Sequence, residues 1–110
     1  MATQVLLVLS TFPEAETARQ VAKQLVTQKL AACANILPGV RSIYQWQGKV
    51  EDATETMVFF KTTGARYADF QAKLRELHPY DVPEIVAIPV VDGLPDYLSW
   101  VNACCKESHL

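Results

Sequence analysis

The sequence lacks the features of a membrane-spanning, secreted or nucleic-acid-binding protein. No uninterrupted apolar run is longer than Val5–Leu9, which is far short of the roughly 20 residues that a membrane-spanning helix needs. No basic segment with a cleavage site precedes this run, so we expect a cytoplasmic protein. Ten basic residues are scattered along a chain of net charge −2, a pattern that offers no basic surface to a phosphate backbone. We therefore expect neither a membrane nor a nucleic acid as partner.

Cysteine is scarce as well. The three cysteines, Cys33, Cys104 and Cys105, cannot all pair, and adjacent cysteines form only a strained ring. None of them stands in a CxxC motif or in a Cys/His cluster with zinc spacing. We therefore expect three reduced thiols. For Cys104 and Cys105, an exposed soft-metal or oxidation site is the alternative to simple helix packing.

The sequence also lacks a recognisable catalytic arrangement. Cys33 would need a base beside it to act as a nucleophile, and His78 and His109 are the two histidines of the chain. A small buried hydrophobic residue is the simpler interpretation of Cys33. Because paired carboxylates and a phosphate-binding loop are missing too, the sequence predicts no enzymatic activity.

What the sequence does contain is the composition of one ordinary globular domain. Apolar residues make up 50% and charged residues 20% of the 110 residues, and these fractions exclude a disordered chain. A chain of this length holds one hydrophobic core. We therefore predict a single domain over residues 1–110.

The first third of the chain is typical of a strand, a helix and a second strand. Val5–Leu9 has no polar alternation, which predicts a strand buried on both faces in the middle of a sheet. Thr11–Glu14 resembles a capping box and predicts that a helix begins there. The small residues of 31–36 predict the second strand, interrupted at Pro38–Gly39. The helix between them carries an apolar stripe at helical spacing, formed by Ala18, Val21, Ala22, Leu25 and Val26.

A long β-hairpin follows. Val40–Trp46 and Lys49–Lys61 flank Gln47–Gly48, where glycine supplies the positive φ of a tight turn. An arm of about 12 residues at roughly 3.3 Å each spans about 40 Å, against a diameter of roughly 35 Å for a domain of this size. The tip must therefore overhang the core. Because an exposed two-stranded ribbon is marginally stable and prone to pairing, we expect another copy of the chain to cover Tyr44, Trp46, Val50 and Met57.

The last part of the chain is typical of a helix, a strand and a short helix. Tyr67, Phe70, Leu74 and Leu77 repeat at helical spacing until Pro79 stops the helix. Glu84–Val91 predicts a fourth strand, with an edge at Pro89. Asp92–Pro95 begins the final helix, which we expect to point Tyr97, Leu98, Val101 and one of the two adjacent cysteines inward, with Trp100 as a core anchor. The order βαββαβ plus a helix predicts a ferredoxin-like α+β sandwich.

Several motifs occur in a fixed order along the chain. They are K-L-A-A-C-A-N at 29–35, Y-x-W-x-G-K at 44–49, K-T-T at 61–63, H-P-Y-D-V-P-E at 78–84 and Y-L-S-W at 97–100. In this order and spacing, from about Val5 to Cys105, the chain resembles the CutA divalent-cation tolerance proteins. The resemblance implies a cytoplasmic homotrimer, similar in architecture to the PII signalling proteins and linked to copper and other divalent metals. It implies no catalytic reaction.

The resemblance also implies a metal site. In bacterial members of the family described as binding copper, the ligands are a cysteine at the end of the first strand and two consecutive histidines before a Pro-Tyr pair. Those positions hold Ser10, Leu77 and His78 in this sequence. Copper favours thiolate and imidazole over a hydroxyl group, so His78 is the remaining candidate ligand for copper or another divalent metal. The alternative is a histidine that ends a helix and hydrogen-bonds local carbonyl groups.

A second candidate site consists of polar residues at strand and loop ends. A ferredoxin-like closure is expected to bring Lys61, Tyr80 and Glu84 to one side of the sheet, in a cleft between subunits, with Cys33 as a further candidate. One interpretation is a pocket for a small anion or a metal complex, with Lys61 as the cation and Glu84 as an acceptor. The other is a salt bridge between subunits.

Three hypotheses on function follow from these observations. The first is a trimeric protein of divalent-metal tolerance, and the sequence favours it. The second is a PII-like sensor of a small anionic ligand, and the third is a structural trimer that docks another protein.

Overall fold

The structure, a computed structural model, describes residues 3–106. Its elements follow the predicted order of strands and helices. They are β1 (Val5–Phe12), α1 (Ala15–Thr27), β2 (Cys33–Trp46), β3 (Lys49–Thr63), α2 (Tyr67–Leu77), β4 (Val86–Pro89) and α3 (Pro95–Cys104). Within the described residues, no helix is long and apolar enough to cross a membrane. His109 lies outside the described residues.

The strands form one antiparallel sheet in the order β2-β3-β1-β4. β1 pairs with β3 from Val5 to Phe12 and with β4 from Leu6 to Leu9, so it lies in the middle of the sheet as predicted. β4 has a ladder partner on one side, which confirms the edge predicted at Pro89, but it is shorter than the predicted strand. The architecture is the predicted ferredoxin-like α+β fold.

One face of the sheet is covered by α1 and α2. Directly opposed residues of an antiparallel pair point to the same side, so the register places Val8, Phe60 and Ala34 together on this face. The main core lies here and contains the buried side chains of Val8, Phe12, Ala18, Val21, Ala22, Leu25, Val58, Phe60, Phe70 and Leu74. Most of the predicted stripe of α1 is confirmed, although Val26 lies outside the core and is 36% exposed.

The opposite face of the sheet is largely uncovered in the single chain. The register places seven apolar side chains on it, which we call the open sheet face: Leu7, Leu9, Leu37, Met57, Phe59, Val86 and Ile88. Leu37, Val86 and Ile88 are 40%, 46% and 47% exposed. The apolar run of β1 predicts burial on both faces of the strand. Within one chain, this prediction is wrong for the face opposite the helices. That run instead supplies one face with core residues and the other with an exposed apolar surface.

The capping box predicted at Thr11–Glu14 is wrong. Thr11 and Phe12 continue β1 and pair with Met57 and Thr56. α1 begins at Ala15, after Glu14 in an extended conformation. Pairing with β3 satisfies the backbone N–H and C=O groups of this segment. The strand therefore continues through residues whose sequence resembles the start of a helix.

The inward orientation predicted for Tyr97 and Trp100 is also wrong. These side chains are 40% and 46% exposed, and their rings contact each other with a centroid distance of 5.6 Å. α3 packs at one end of the sheet, where Val101 and Cys105 join Val5 and Ala32 in a second, smaller core. A short helix that covers one end of a sheet buries a narrow stripe, and its remaining aromatic residues stay outside.

β2 and β3 form the predicted long hairpin. The register shifts between Leu37 and Val40, where Gly39 has a φ of 79°, as in a β-bulge. At the turn, Gln47 and Gly48 have φ values of 51° and 79°, and a type I′ turn requires positive φ at both central residues. The chain measures 46 × 30 × 22 Å. The outer part of the hairpin is largely exposed, with Ile43 and Val50 exposed by 69% and 70%.

We expect Gly48→Ala to lower the free energy of unfolding by about 1 kcal/mol, because positive φ costs a residue with a Cβ about 1–2 kcal/mol. The added methyl group would meet nothing within 4 Å, so the effect isolates the backbone conformation. Gln47→Asn should act in the opposite direction, since asparagine adopts positive φ more readily. Urea unfolding of both variants beside the wild type measures the difference. A Gly48→Ala variant as stable as the wild type would contradict this account of the turn.

Candidate functional site

A cleft of about 660 Å³ lies between the hairpin and segment 79–84, which follows α2. Its chemically informative lining residues are Tyr44, Trp46, Glu55, Tyr80, Asp81 and Glu84, and we call it the acidic cleft. Its volume falls in the range of about 300–1,000 Å³ that is usual for small-ligand pockets. The structure thus brings together two predicted cleft residues, Tyr80 and Glu84, with two predicted interface residues, Tyr44 and Trp46.

Strand alternation explains why the hairpin points these side chains into the cleft. Tyr44 and Trp46 are two positions apart in β2, so they lie on one side of the ribbon. The register of the hairpin places Glu55 of β3 on that same side. Met57, two residues further along β3, belongs to the open sheet face. The acidic cleft therefore continues the open sheet face towards the hairpin tip.

His78 fixes the other wall of the acidic cleft. Its side chain is 7% exposed, and its ring stacks on Phe12 with a centroid distance of 4.3 Å and an interplanar angle of 19°. Nε2 lies 2.8 Å from the carbonyl oxygen of Thr11. Nδ1 accepts a hydrogen bond of 3.1 Å from the backbone N–H of Tyr80. The ring therefore links β1 to the first residues after α2.

These contacts define the protonation of His78. Because Nδ1 accepts a hydrogen bond, the neutral ring carries its proton on Nε2 and donates it to Thr11. Burial lowers the pKa of His78, and the contact with Thr11 and the charge of Glu55 offset this only in part. The ring is thus held neutral, with both nitrogens engaged.

Tyr80 closes the acidic cleft against the hairpin. Its hydroxyl group donates a hydrogen bond to Oε2 of Glu55, and Glu55 is 6% exposed. Burial, followed by this hydrogen bond, raises the pKa of Tyr80. The phenol stays protonated and satisfies one oxygen of a buried acidic side chain, which is otherwise costly to hold away from water.

The charged side chains that line the acidic cleft are all acidic. Glu55, Asp81 and Glu84 line it, and its described lining includes no lysine, arginine or histidine. Such a lining attracts cations and repels anions. Lys61 is not among the lining residues of this cleft, and the predicted anion pocket between subunits stays a prediction.

Lys61 lies elsewhere on the sheet. Six positions separate it from Glu55 along β3, a distance of about 20 Å at 3.3 Å per residue. Its ammonium group donates a hydrogen bond to Oδ1 of Asn35. Cys33 is directly opposite Lys61 in the register, and its sulfur lies 3.5 Å from the hydroxyl oxygen of Tyr97. The structure therefore separates Lys61 and Cys33 from Tyr80 and Glu84.

The three cysteines are free thiols. Cys33 is half-buried, and its hydrogen bond with Tyr97, followed by burial, raises the pKa of Tyr97 to about 12. Cys105 is 2% exposed in the smaller core, and burial raises the pKa of its thiol. The half-buried Cys104 packs against the same core. Helix packing, rather than an exposed thiol pair, describes Cys104 and Cys105 in this structure.

The sequence of this chain is similar to those of known proteins. The profile of the CutA1 divalent ion tolerance proteins matches residues 6–104. The chain belongs to this family. A divalent-cation tolerance protein CutA from Thermus thermophilus is 47% identical over 95 residues, which cover 86% of this chain and 92% of the relative.

Solved structures of the family have the same fold. The divalent cation tolerance protein of Thermus thermophilus superposes with a TM-score of 0.90 at 44% identity, covering 93% of this chain and 99% of that one. A protein from Archaeoglobus fulgidus, named a periplasmic divalent cation tolerance protein, superposes with a TM-score of 0.89 at 36% identity, covering 93% and 99%. The predicted resemblance to CutA proteins is confirmed, and nothing in these names points to an enzyme.

The residues at the positions that the resemblance assigns to copper do not form a copper site within one chain of this CutA1 family member. Ser10 is fully buried, and its hydroxyl oxygen has no hydrogen-bond partner among the described residues. Leu77 is apolar and packs against the main core. His78 has both ring nitrogens engaged. Within residues 3–106, no group of three or more His, Cys, Asp or Glu side chains is placed to hold a metal ion.

Sequence reasoning missed Glu55 and Thr11 as residues of the site. Strand alternation contains a signal for Glu55, because it places residue 55 on the same side of β3 as Met57. A carboxyl group is also unusual inside a strand. Thr11 acts through its backbone carbonyl group, and no side-chain pattern reports such a role.

We expect the free energy of unfolding to fall as the pH is lowered below about 6.5, the ordinary pKa of an unfolded histidine. His78 has a lowered pKa in the fold, so the unfolded chain takes up the proton first. The stability lost in this way amounts to at most about 1.4 kcal/mol per pH unit. Urea unfolding of wild type and His78→Gln from about pH 7.5 to about pH 5.5 isolates the histidine from the carboxyl groups, which titrate lower. Parallel pH profiles for the two proteins would refute this assignment.

Proposed function

We propose that this chain acts as a homotrimer in divalent-cation tolerance, and that its function does not depend on a Cys/His copper centre within one subunit. Membership of the CutA1 family supports the tolerance role. The cytoplasmic location stays a prediction. The observation that carries the assembly is the open sheet face, which is apolar and uncovered in the single chain.

The open sheet face has the properties of a surface that is buried on association. Its seven apolar residues adjoin one another across four strands, and contiguous exposed apolar patches mark interaction sites. The exposed hairpin extends the same surface with Tyr44 and Trp46, each 43% exposed. Val50 points to the other side of the ribbon and is 70% exposed. Association of identical copies would cover both the sheet face and the overhanging hairpin. The number of subunits, three, is what the resemblance to the CutA proteins implies.

A sensor of a small anion receives no support from the acidic cleft, because its acidic side chains would repel such a ligand. Copper binding through His78 is disfavoured as well, because a metal would have to displace the hydrogen bond to Thr11 or that from Tyr80. The tolerance role is therefore better sought in the assembled protein than in a complete metal site of one chain.

We expect light scattering coupled to size-exclusion chromatography to give three times the chain mass of 12.3 kDa. Ile88→Glu should lower this mass, because it places an acidic group in the open sheet face. Val91→Glu is the matched control, since Val91 follows β4 outside that face and is 91% exposed. A monomeric wild type, or an Ile88→Glu variant of unchanged mass, would contradict the proposal.

We expect His78→Gln to bind Cu(II) with the same affinity as the wild type in a calorimetric titration. The reason is that neither ring nitrogen of His78 is available in the folded chain. The double variant Ser10→Cys, Leu77→His carries the ligand types that the resemblance implies and should bind Cu(II) more tightly. A clear loss of affinity in His78→Gln would overturn the proposal and return His78 to the metal site.

A further inference from the structure

We propose that a chain of buried hydrogen bonds holds the hairpin in the orientation that association of the copies requires, with His78 as its positioning residue. The bonds run from Thr11 at the end of β1, through His78 and Tyr80, to Glu55 in β3. This inference rests on the proposed association of identical copies. It gives His78 a role in assembly that is exercised from inside one chain.

Glu55 marks the point where the hairpin leaves the sheet. β1 pairs with β3 as far as Phe12, which lies opposite Thr56, so Glu55 is the first residue of β3 on the tip side of that pairing. Its partner in β2 is Val40, directly after the register shift at Leu37. From Glu55 to the tip, the hairpin of one chain is two strands wide, and such a ribbon has little stability of its own.

A small rotation at Glu55 has a large effect at the tip, because the outer hairpin is long. About seven residues at roughly 3.3 Å each separate Val40 from the turn, a length of about 23 Å. A rotation of about 10° at Glu55 would therefore move the tip by about 4 Å. The cores of protein interfaces are packed as densely as protein interiors and do not tolerate such a shift. The predicted interface residues Tyr44, Trp46 and Val50 lie in this outer part.

The chain of bonds connects Glu55 to the rigid part of the fold. The hydroxyl group of Tyr80 donates to Oε2 of Glu55, and the backbone N–H of Tyr80 donates to Nδ1 of His78. The ring of His78 stacks on Phe12, and its Nε2 donates to the carbonyl oxygen of Thr11. β1 and the hairpin are thus joined through His78 and Tyr80, next to the point where their direct pairing ends.

The burial of this chain of bonds does not depend on other copies. His78 and Glu55 are 7% and 6% exposed within a single chain, so covering the hairpin changes their surroundings little. His78 also has almost no surface to offer to another subunit. Any effect of His78 on assembly must therefore pass through its neighbours Tyr80 and Glu55 rather than through direct contact.

The rate of subunit exchange in the full-length assembled protein tests this inference. Unlabelled and ¹⁵N-labelled protein are mixed at a temperature where the wild type exchanges measurably, and native mass spectrometry follows the mixed species. Tyr80→Phe removes only the hydroxyl group that reaches Glu55. It should accelerate exchange at least about tenfold, the effect expected when a hydrogen bond to a buried charged group is lost. Tyr67→Phe removes the hydroxyl group of a tyrosine in α2, outside the chain of bonds, and should leave the rate unchanged.

Two amide side chains separate the bonds of His78. The oxygen of asparagine can take the place of Nδ1 and accept from Tyr80, as in an Asx-turn, whereas the NH₂ group of glutamine can take the place of Nε2 and donate to Thr11. His78→Gln therefore releases Tyr80 and should accelerate exchange about tenfold. His78→Asn keeps the bond to Tyr80 and should accelerate it less. In a protein that already carries Tyr80→Phe, His78→Gln should add less than about a twofold change, because both substitutions break the same chain of bonds.

The mass of the wild type distinguishes this inference from the association on which it rests. A wild type with the mass of one chain would refute the association itself. With an assembled wild type, the positioning role is overturned if Tyr80→Phe or His78→Gln exchanges at the wild-type rate. It is equally overturned if the two effects multiply in the double variant, or if His78→Asn exchanges faster than His78→Gln. Circular dichroism checks the fold of each variant, and Tyr80→Phe, which removes one oxygen atom, decides the outcome if His78→Gln does not fold.

Discussion

The pairing of β3 with β1 on one side and with β2 on the other is the constraint on which the rest of this structure depends. β3 pairs with both neighbours, so its register decides the face of the paired side chains in β1 and β2, on either side of the bulge between Leu37 and Val40. Phe60 and Val58 are thereby committed to the helix-covered core. Phe59 and Met57 are committed to the open sheet face. A shift by one residue would exchange the two sets, and the buried area under α1 and α2 makes such a shift unfavourable.

The acidic cleft is a consequence of the same register at the far end of the hairpin. The alternation that places Met57 on the open sheet face also places Glu55 beside Tyr44, and Tyr80 then satisfies the buried acidic group. His78 holds Tyr80 in position through a backbone hydrogen bond while its other nitrogen is bound to β1. A histidine at a family ligand position thus has a structural role in this chain, which accounts for its neutral form and its burial.

Much of the fold was predictable because its signals are periodic and local. The stripe of α1, the alternation of β3 and the glycine of the turn each report a backbone conformation directly. The predictions that are wrong concern competition between segments. Thr11 has a local helix signal, but strand pairing with Met57 prevails. Trp100 is a large aromatic residue of the kind that anchors a core. It stays exposed because α3 buries only a narrow stripe against the end of the sheet. At the site, the structure places Tyr80 and Glu84 in one cleft, whereas Lys61 lies about 20 Å from Glu55 along β3, and the predicted grouping of Lys61 with them between subunits stays a prediction.

The sequence by itself determined the order of strands and helices, the overhanging hairpin and the family, because each of these depends on patterns within a short stretch of chain. It also determined that the set of copper ligands implied by the resemblance is incomplete, since Ser10 and Leu77 occupy two of its positions. Only the tertiary structure decided which polar groups meet. The neutral state of His78, the pairing of Tyr80 with Glu55 and the negative charge of the cleft arise between residues far apart in the chain. Their partners are set by packing and register, which no local pattern encodes.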